Sequence, residues 1–218
     1  MTSVAPPATL VARRRDRDAD SLSDPLAKEW ADVPELSLPL VPTPLDSQPS
    51  AYVRAAWRDR PRGAIPTIAV RAASAGGQLL LRLRWPVAEP HRGITDSNVY
   101  ADACAVLFPA KGHAPLETMG SEGQPVIAWY WRAGAEPLVS RATGLGTVSR
   151  LSPHNLDAVA TWVAGEWVVV LSSPLGASEP ALGHGQVTDV AFAAWLGAAS
   201  ERAGLKSHTP SWQTLRIE

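Results

Sequence analysis

Between residues 65 and 195 apolar side chains recur at every second position in short runs broken by small turns, the period of a pleated strand with one buried face. The clearest pair, residues 68–73 and 78–85, flanks Ser74-Ala75-Gly76-Gly77 and predicts a β-hairpin. In its second arm Leu79, Leu81, Leu83 and Trp85 alternate with Leu80, Arg82 and Arg84, so one face is apolar and the other largely charged. Further runs follow at 101–108, 126–131, 156–163, 166–172 and 189–195, and Ala164-Gly165 makes the turn of a second hairpin. Strands without intervening amphipathic helices predict an all-β fold, an antiparallel two-sheet β-sandwich with few short helices. Long loops at 86–99, 110–125 and 171–187 are the expected places for a site.

The first fifty residues follow a different pattern. Pro6, Pro7, Pro34, Pro39, Pro42, Pro44 and Pro49 preclude continuous helix or central strand there. The predicted organisation is an extended Pro-rich arm over 1–50 and a sandwich domain over 51–218. Asp24-Pro25 supplies a cap and a first helical position for a short helix through Trp30. Leu36, Leu38, Leu40 and Val41 favour an arm that lies along a surface rather than a free one.

Composition narrows the function classes. A net charge of -1 removes the basic field that holds a phosphate backbone, so nucleic acid is not an expected partner. One cysteine, Cys104, sits in an apolar run and reads as a buried core thiol; zinc ribbons and protein-held iron–sulfur clusters need several. No stretch reaches the roughly 20 apolar residues that span a bilayer. Arg13, Arg14, Arg15 and Arg17 are interleaved with Asp16, Asp18 and Asp20, and no apolar segment follows them, so no export signal is expected. Of nine Trp, Trp129, Trp131, Trp162, Trp167 and Trp195 fall in predicted strands, where packing explains them better than sugar stacking.

A search for catalytic constellations finds none. There is no Gly-x-Ser-x-Gly elbow, and Gly144-Leu145-Gly146 lacks the third glycine and the βαβ setting of a dinucleotide site, which leaves a turn or bulge. His91, His113, His154, His184 and His208 are scattered singly. Pattern and composition alone describe a β-sandwich with an arm and long loops, and nothing in them demands an enzyme.

Two segments say more: Met119-Gly120-Ser121-Glu122-Gly123-Gln124-Pro125 running on to Trp129-Tyr130-Trp131, and Ala191 to Trp195 continuing through Glu201-Arg202-Ala203-Gly204-Leu205-Lys206-Ser207 to Trp212. With Leu81-Arg82-Leu83-Arg84-Trp85, the run from Asp102 to Pro109, and Pro42-Thr43-Pro44-Leu45, they resemble the γ subunits of ethylbenzene dehydrogenase and its relatives, type II complexes of the dimethyl-sulfoxide-reductase family. The resemblance covers the chain from about residue 67 to residue 218.

It implies a β-sandwich holding one haem b, with Met119 (from the Met-Gly motif) and Lys206 (from the Glu-Arg-x-Gly-x-Lys-Ser motif) as axial ligands of the iron. Apart from Met1, Met119 is the sole methionine, and Lys206 could bind iron only as the neutral amine. His208, two residues on, is the alternative ligand. Both axial positions filled by protein imply one-electron transfer and no catalysis by this chain. The circuit implied runs from a molybdenum cofactor in an α subunit, through iron–sulfur clusters in a β subunit, to this haem and a soluble acceptor such as cytochrome c. In that setting the arm would wrap a partner subunit, and the chain would reach the periplasm by co-export with a signal-bearing partner; a cytoplasmic complex is the alternative. The competing reading is a haem-free β-sandwich binding or assembly module.

Overall fold

Gly76 and Gly77 take φ of 53° and 74°, and Ala164 and Gly165 take 52° and 81°. Both central residues of each turn are therefore left-handed, the geometry whose twist matches two flanking antiparallel strands. These two hairpins seed one layer of the molecule. A computed structural model of the chain describes residues 7–16, 18–177 and 179–218.

In chain order the strands are β1 (Thr9–Arg15), β2 (Leu36–Pro39), β3 (Val41–Pro42), β4 (Thr67–Ala75), β5 (Gln78–Pro86), β6 (Ala103–Pro109), β7 (Gly120–Ser121) and β8 (Gln124–Arg132). They continue as β9 (Leu138–Ala142), β10 (Ser149–Leu151), β11 (Asp157–Val163), β12 (Glu166–Pro174), β13 (Val187–Trp195), β14 (Ser207–His208) and β15 (Gln213–Ile217). Two short helices, α1 (Asp20–Ser23) and α2 (Ala51–Ala56), and two 3-10 turns complete the described elements.

One layer is β2-β4-β5-β12-β11 and the other is β10-β9-β8-β6-β13, with β14 and β3 added beside β13. The layers join through strands shared between them. Residues 187–190 of β13 pair with β15 while 191–195 pair with β6; residues 9–12 of β1 pair with β15 while 13–15 pair with β4. The fold is thus the expected two-layer sandwich, antiparallel except where β1 runs parallel to β15 and to β4.

The main core lies between the layers. Leu79, Leu81, Leu83 and Trp85 of β5 are fully buried against Val106 and Phe108 of β6, Ile127, Trp129 and Trp131 of β8, and Phe192 of β13. Trp131 meets Trp167 edge-on at 5.0 Å between ring centroids, and Phe108 meets Trp129 at 5.0 Å, the arrangement that aromatic quadrupoles favour.

Both outer faces are also partly covered, which alternation within single strands does not reveal. Leu80, expected beside Arg82 and Arg84 on a charged face, is fully buried with Ala73, Ala75 and Val170 beneath Leu22, Trp30 and Val33. The arginines of that face fasten the covering segment. Arg71 and Arg84 pair with Glu35 at 3.1 and 2.8 Å, Arg71 also donates to Trp30 O, and Arg82 donates to Pro25 O at 2.8 Å.

The described part of the first fifty residues is extended apart from α1 and one 3-10 turn, and it lies on this chain's own sheets: β1 completes the joining corner, β2 pairs with β4, and β3 pairs with β14. Leu10, Leu38 and Leu40 are buried in the main core, which is the surface they need. The helix expected over 24–30 is instead a turn. Asp24 accepts Leu26 N on Oδ1 at 2.8 Å and Ala27 N on its carbonyl at 3.1 Å, and a 3-10 turn then runs over Lys28–Asp32. Among the described residues no helix is long and apolar enough to cross a membrane.

Candidate functional site

Alternation on the second layer sends small side chains outward. Cross-strand neighbours on one face share their direction, so the row Ala193–Ala105–Tyr130 and the row Ala191–Leu107–Ala128 point away from the main core. They form a second apolar cluster with Trp195 and Trp212. Above this floor of alanines opens a cavity of about 560 Å³, within the range of small-molecule sites. Tyr130 and Trp195 form one wall and meet edge-on at 5.5 Å. Trp129 and Trp131, on either side of Tyr130, face the opposite way into the main core.

Met119 reaches the cavity from the loop before β7. Its N–H donates to Leu116 O at 3.0 Å, and that of Gly120 donates to Pro115 O at 2.8 Å, closing a tight turn in which Met119 has φ 58° and Gly120 φ 91°. A Cβ on Gly120 would sit 2.9 Å from both Ala142 O and Gln124 O, so the glycine of the Met-Gly pair is required by close backbone approach as well as by its φ.

Lys206 arrives from the other side, at the end of a loop pinned along its length. The buried carboxylate of Glu201 accepts Gly63 N (2.8 Å) and Ala64 N (2.9 Å) on one oxygen and Leu196 N (2.9 Å) on the other. Gln48 donates to Gly204 O at 3.0 Å, Thr43 N donates to Lys206 O at 3.0 Å, and the Ser207 hydroxyl accepts Ile65 N at 3.1 Å. Residues 43–65 therefore clamp the lysine loop. The strap that Pro42, Pro44 and Pro49 keep out of helix is part of the site.

The two side chains converge. Lys206 Nζ lies 3.8 Å from Met119 Sδ and 5.6 Å from the centroid of the Trp195 ring. Burial pushes the Lys206 amine down to about 8 by stripping water from its charged form. His208 is on the same side of β14 and lines a cleft of about 20 Å³ beside Met119 and Lys206. Its Nδ1 is 2.8 Å from Thr209 O, its Nε2 is buried with no partner, and burial lowers its pKa.

The remaining histidines stay apart, and among the described residues no group of three His, Cys, Asp or Glu is placed to hold a metal ion. Cys104 faces the main core and is fully buried. Residues that the sequence reading did not assign to the site are the alanine floor, the strap residues Gln48, Pro49 and Ser50, the loop Gly144-Leu145-Gly146, and Arg150. An Ala-x-Ala rhythm at 103–105 and 191–193 was the available signal for the floor.

The sequence model of the ethylbenzene dehydrogenase family matches residues 27–146, more than half of the chain. A match to the dimethylsulfide dehydrogenase subunit gamma of Rhodovulum sulfidophilum runs over 211 residues at 32% identity, covering 89% of this chain and 75% of that one. The chain belongs to the ethylbenzene dehydrogenase family, among its gamma subunits. The chlorate reductase subunit gamma of Ideonella dechloratans is 36% identical over 154 residues, 69% of this chain and 64% of its own. A Haloferax mediterranei protein provisionally named a respiratory nitrate reductase heme subunit is 31% identical over 192 residues, 86% of this chain and 66% of its own. The matches to these last two thus span just under two thirds of their length. Solved structures similar in fold include a protein of Bacteroides uniformis provisionally described as carbohydrate-binding, with TM-score 0.55, 11% identity and coverage of 98% and 100%. Another is a family 9 carbohydrate binding module of Caldicellulosiruptor kristjanssonii, with TM-score 0.51, 8% identity and coverage of 96% and 95%. At such identities the likeness concerns the sandwich alone.

Proposed function

We propose that this chain is a non-catalytic electron-transfer subunit that holds one haem b between Met119 and Lys206. The observation that carries the reading is the buried amine of Lys206 poised 3.8 Å from the Met119 thioether beside an apolar cavity of about 560 Å³. A thioether and an amine that gives up its proton readily are both competent iron donors. Met119 and Lys206 would be the residues that hold the iron, each offering a lone pair toward the same point of the cavity wall. The unbranched Met119 side chain has the freedom to adjust to such a group.

Held by Met119 and Lys206, haem b would supply reversible one-electron transfer. The protein's own residues do the rest. Ala105, Ala128 and Ala193 leave room for a flat ring, Tyr130 and Trp195 wall off water, and the clamp of Thr43, Gln48 and Glu201 fixes the amine. A thioether in place of a second nitrogen ligand favours the reduced iron and raises the potential.

The names of the relatives, two gamma subunits and a heme subunit of reductase or dehydrogenase complexes, support the same role. Electrons would pass between an iron–sulfur β subunit, itself served by a molybdenum-containing α subunit, and an external acceptor such as cytochrome c. Co-export to the periplasm with a signal-bearing partner belongs to this proposal.

A reduced-minus-oxidised visible spectrum with a pyridine haemochrome assay tests it, on the chain co-expressed with its partners. A low-spin b-type spectrum that becomes high-spin or disappears in Met119→Ala and Lys206→Ala is the expected result. A colourless protein under haem-replete conditions would overturn the reading and leave a haem-free binding module.

A further inference from the structure

We infer that Arg150 is the anion-recognition residue of the cavity, receiving a haem propionate at the β10 edge and so fixing which way round the ring lies. The inference rests on the haem reading and adds to it a residue, a contact and an orientation.

Among the described residues that line the cavity, Lys206 and Arg150 are the two cations, and no carboxylate accompanies them. They stand at opposite ends. The β-sheet register runs Leu107–Ala128–Ser140–Arg150 across β6, β8, β9 and β10, so Arg150 shares the outward face of the floor. It lies two strands beyond Ala128, about 10 Å at the usual spacing of strands in a sheet. Lys206 precedes β14, on the far side of β13.

The two ends differ in what they offer. Around Lys206 lie Met119, Leu107 and Trp195, with the Glu117 carboxylate in the adjoining cleft, a largely apolar surround that already has an anion beside it and is a poor place for a further carboxylate. At the other end Arg150 is exposed, Ser140 stands beside it, and solvent is at hand. Arg71, Arg84 and Arg141 each pair with a glutamate, whereas no ion pair among the described residues uses Arg150. A free guanidinium with its donors in a planar fork matches a carboxylate. An amphipathic disc with two carboxylates on one edge therefore enters with that edge toward β10.

The test titrates the full chain, freed of haem, with ferric haem b and with its dimethyl ester, which lacks free carboxylates, reading tryptophan quenching and the visible spectrum. At low salt the unaltered chain is expected to prefer haem b over the ester by roughly threefold to fivefold more than Arg150→Ala does, the size of one exposed ion pair. Arg150→Lys should keep part of that preference, and Arg150→Ala should also lower the reduction potential, since removal of a nearby cation favours the ferric state. Low-spin binding of both porphyrins with the same preference in the unaltered chain and in Arg150→Ala overturns the assignment of Arg150 alone. Failure of both porphyrins to bind overturns it together with the haem reading.

Discussion

Lys206 Nζ sits 3.8 Å from Met119 Sδ although 87 positions separate the two residues, and the contact joins two loops that leave opposite ends of the outer face of one sheet. Lys206 is 8% exposed. An ammonium in that setting keeps little hydration and has only a weak acceptor nearby, so the neutral amine is favoured.

The consequence is a pH dependence with a definite sign. Burial lowers the Lys206 pKa from 10.5 to about 8 in the folded, haem-free chain, while the unfolded chain retains the ordinary value. Between these limits the unfolded state binds more protons, so stability rises with pH across the window and this contribution is flat below and above it. The full change is on the order of 3 kcal/mol. Urea midpoints measured from pH 7.5 to 10.5 should rise in the unaltered chain relative to Lys206→Met, which cannot titrate. Parallel curves would show that the amine is not held as the structure places it.

The alanine floor predicts a separation between folding and cofactor loading. Ala193 faces the cavity and Ala194 the main core, one residue away on the same strand. Ala128→Leu and Ala193→Leu should fill the cavity, leave the thermal midpoint unchanged or raised, and abolish haem binding. Ala193 and Ala194 are equally buried, but Ala194 faces the packed main core and no cavity, so Ala194→Leu overpacks and should cost about 1–3 kcal/mol. Haem content and thermal melts of the three variants check this; equal haem content in all three would mean that the ring does not lie on this floor.

The hairpins, the two-layer sandwich and the inner face of the first hairpin were legible in the sequence because period-2 alternation and Gly-Gly or Ala-Gly turns are local signals, whereas the order of strands within each layer was not. Met119 and Lys206 were legible only as members of motifs, since nothing local says that two loops meet. What was illegible depends on contacts made at long range. β10 spans three residues and gains meaning from its register with Ser140; Leu80 looks solvent-facing until residues 22–33 fold over it. β1, with three arginines in seven positions, hides a strand that completes the corner between the layers.

Cys104 is predicted to be inert in the native state. It is fully buried, and desolvation raises its thiol pKa far above the ordinary value, so almost no thiolate forms at neutral pH. A disulfide reagent such as 5,5′-dithiobis(2-nitrobenzoate) should leave the folded protein untouched and titrate the single thiol after unfolding in urea. Rapid labelling of the native chain would place the thiol at the surface instead of in the core.

Asp102 anchors the start of the lysine loop, and its removal should be felt twice. Its side chain is wholly buried, accepting His91 N at 2.8 Å and Trp167 Nε1 at 2.9 Å on Oδ2, and Gly197 N at 2.8 Å on Oδ1. Asp102→Ala leaves three donors without a partner, at roughly 1–3 kcal/mol for each buried group left unsatisfied, so a loss of at least ~3 kcal/mol is expected. Gly197 fits beside this carboxylate because it has no Cβ: one added there would lie 1.7 Å from Tyr100 O. Gly197→Ala must therefore push the loop off the backbone of Tyr100 and Ala101 while the carboxylate stays intact. Both substitutions break the same junction, so their combined cost in urea denaturation should fall short of the sum of the single costs. Both should also loosen Lys206, read as a shift of the haem spectrum toward the high-spin form. Additive costs with an unchanged spectrum would mean that the lysine is held by residues 43–65 alone.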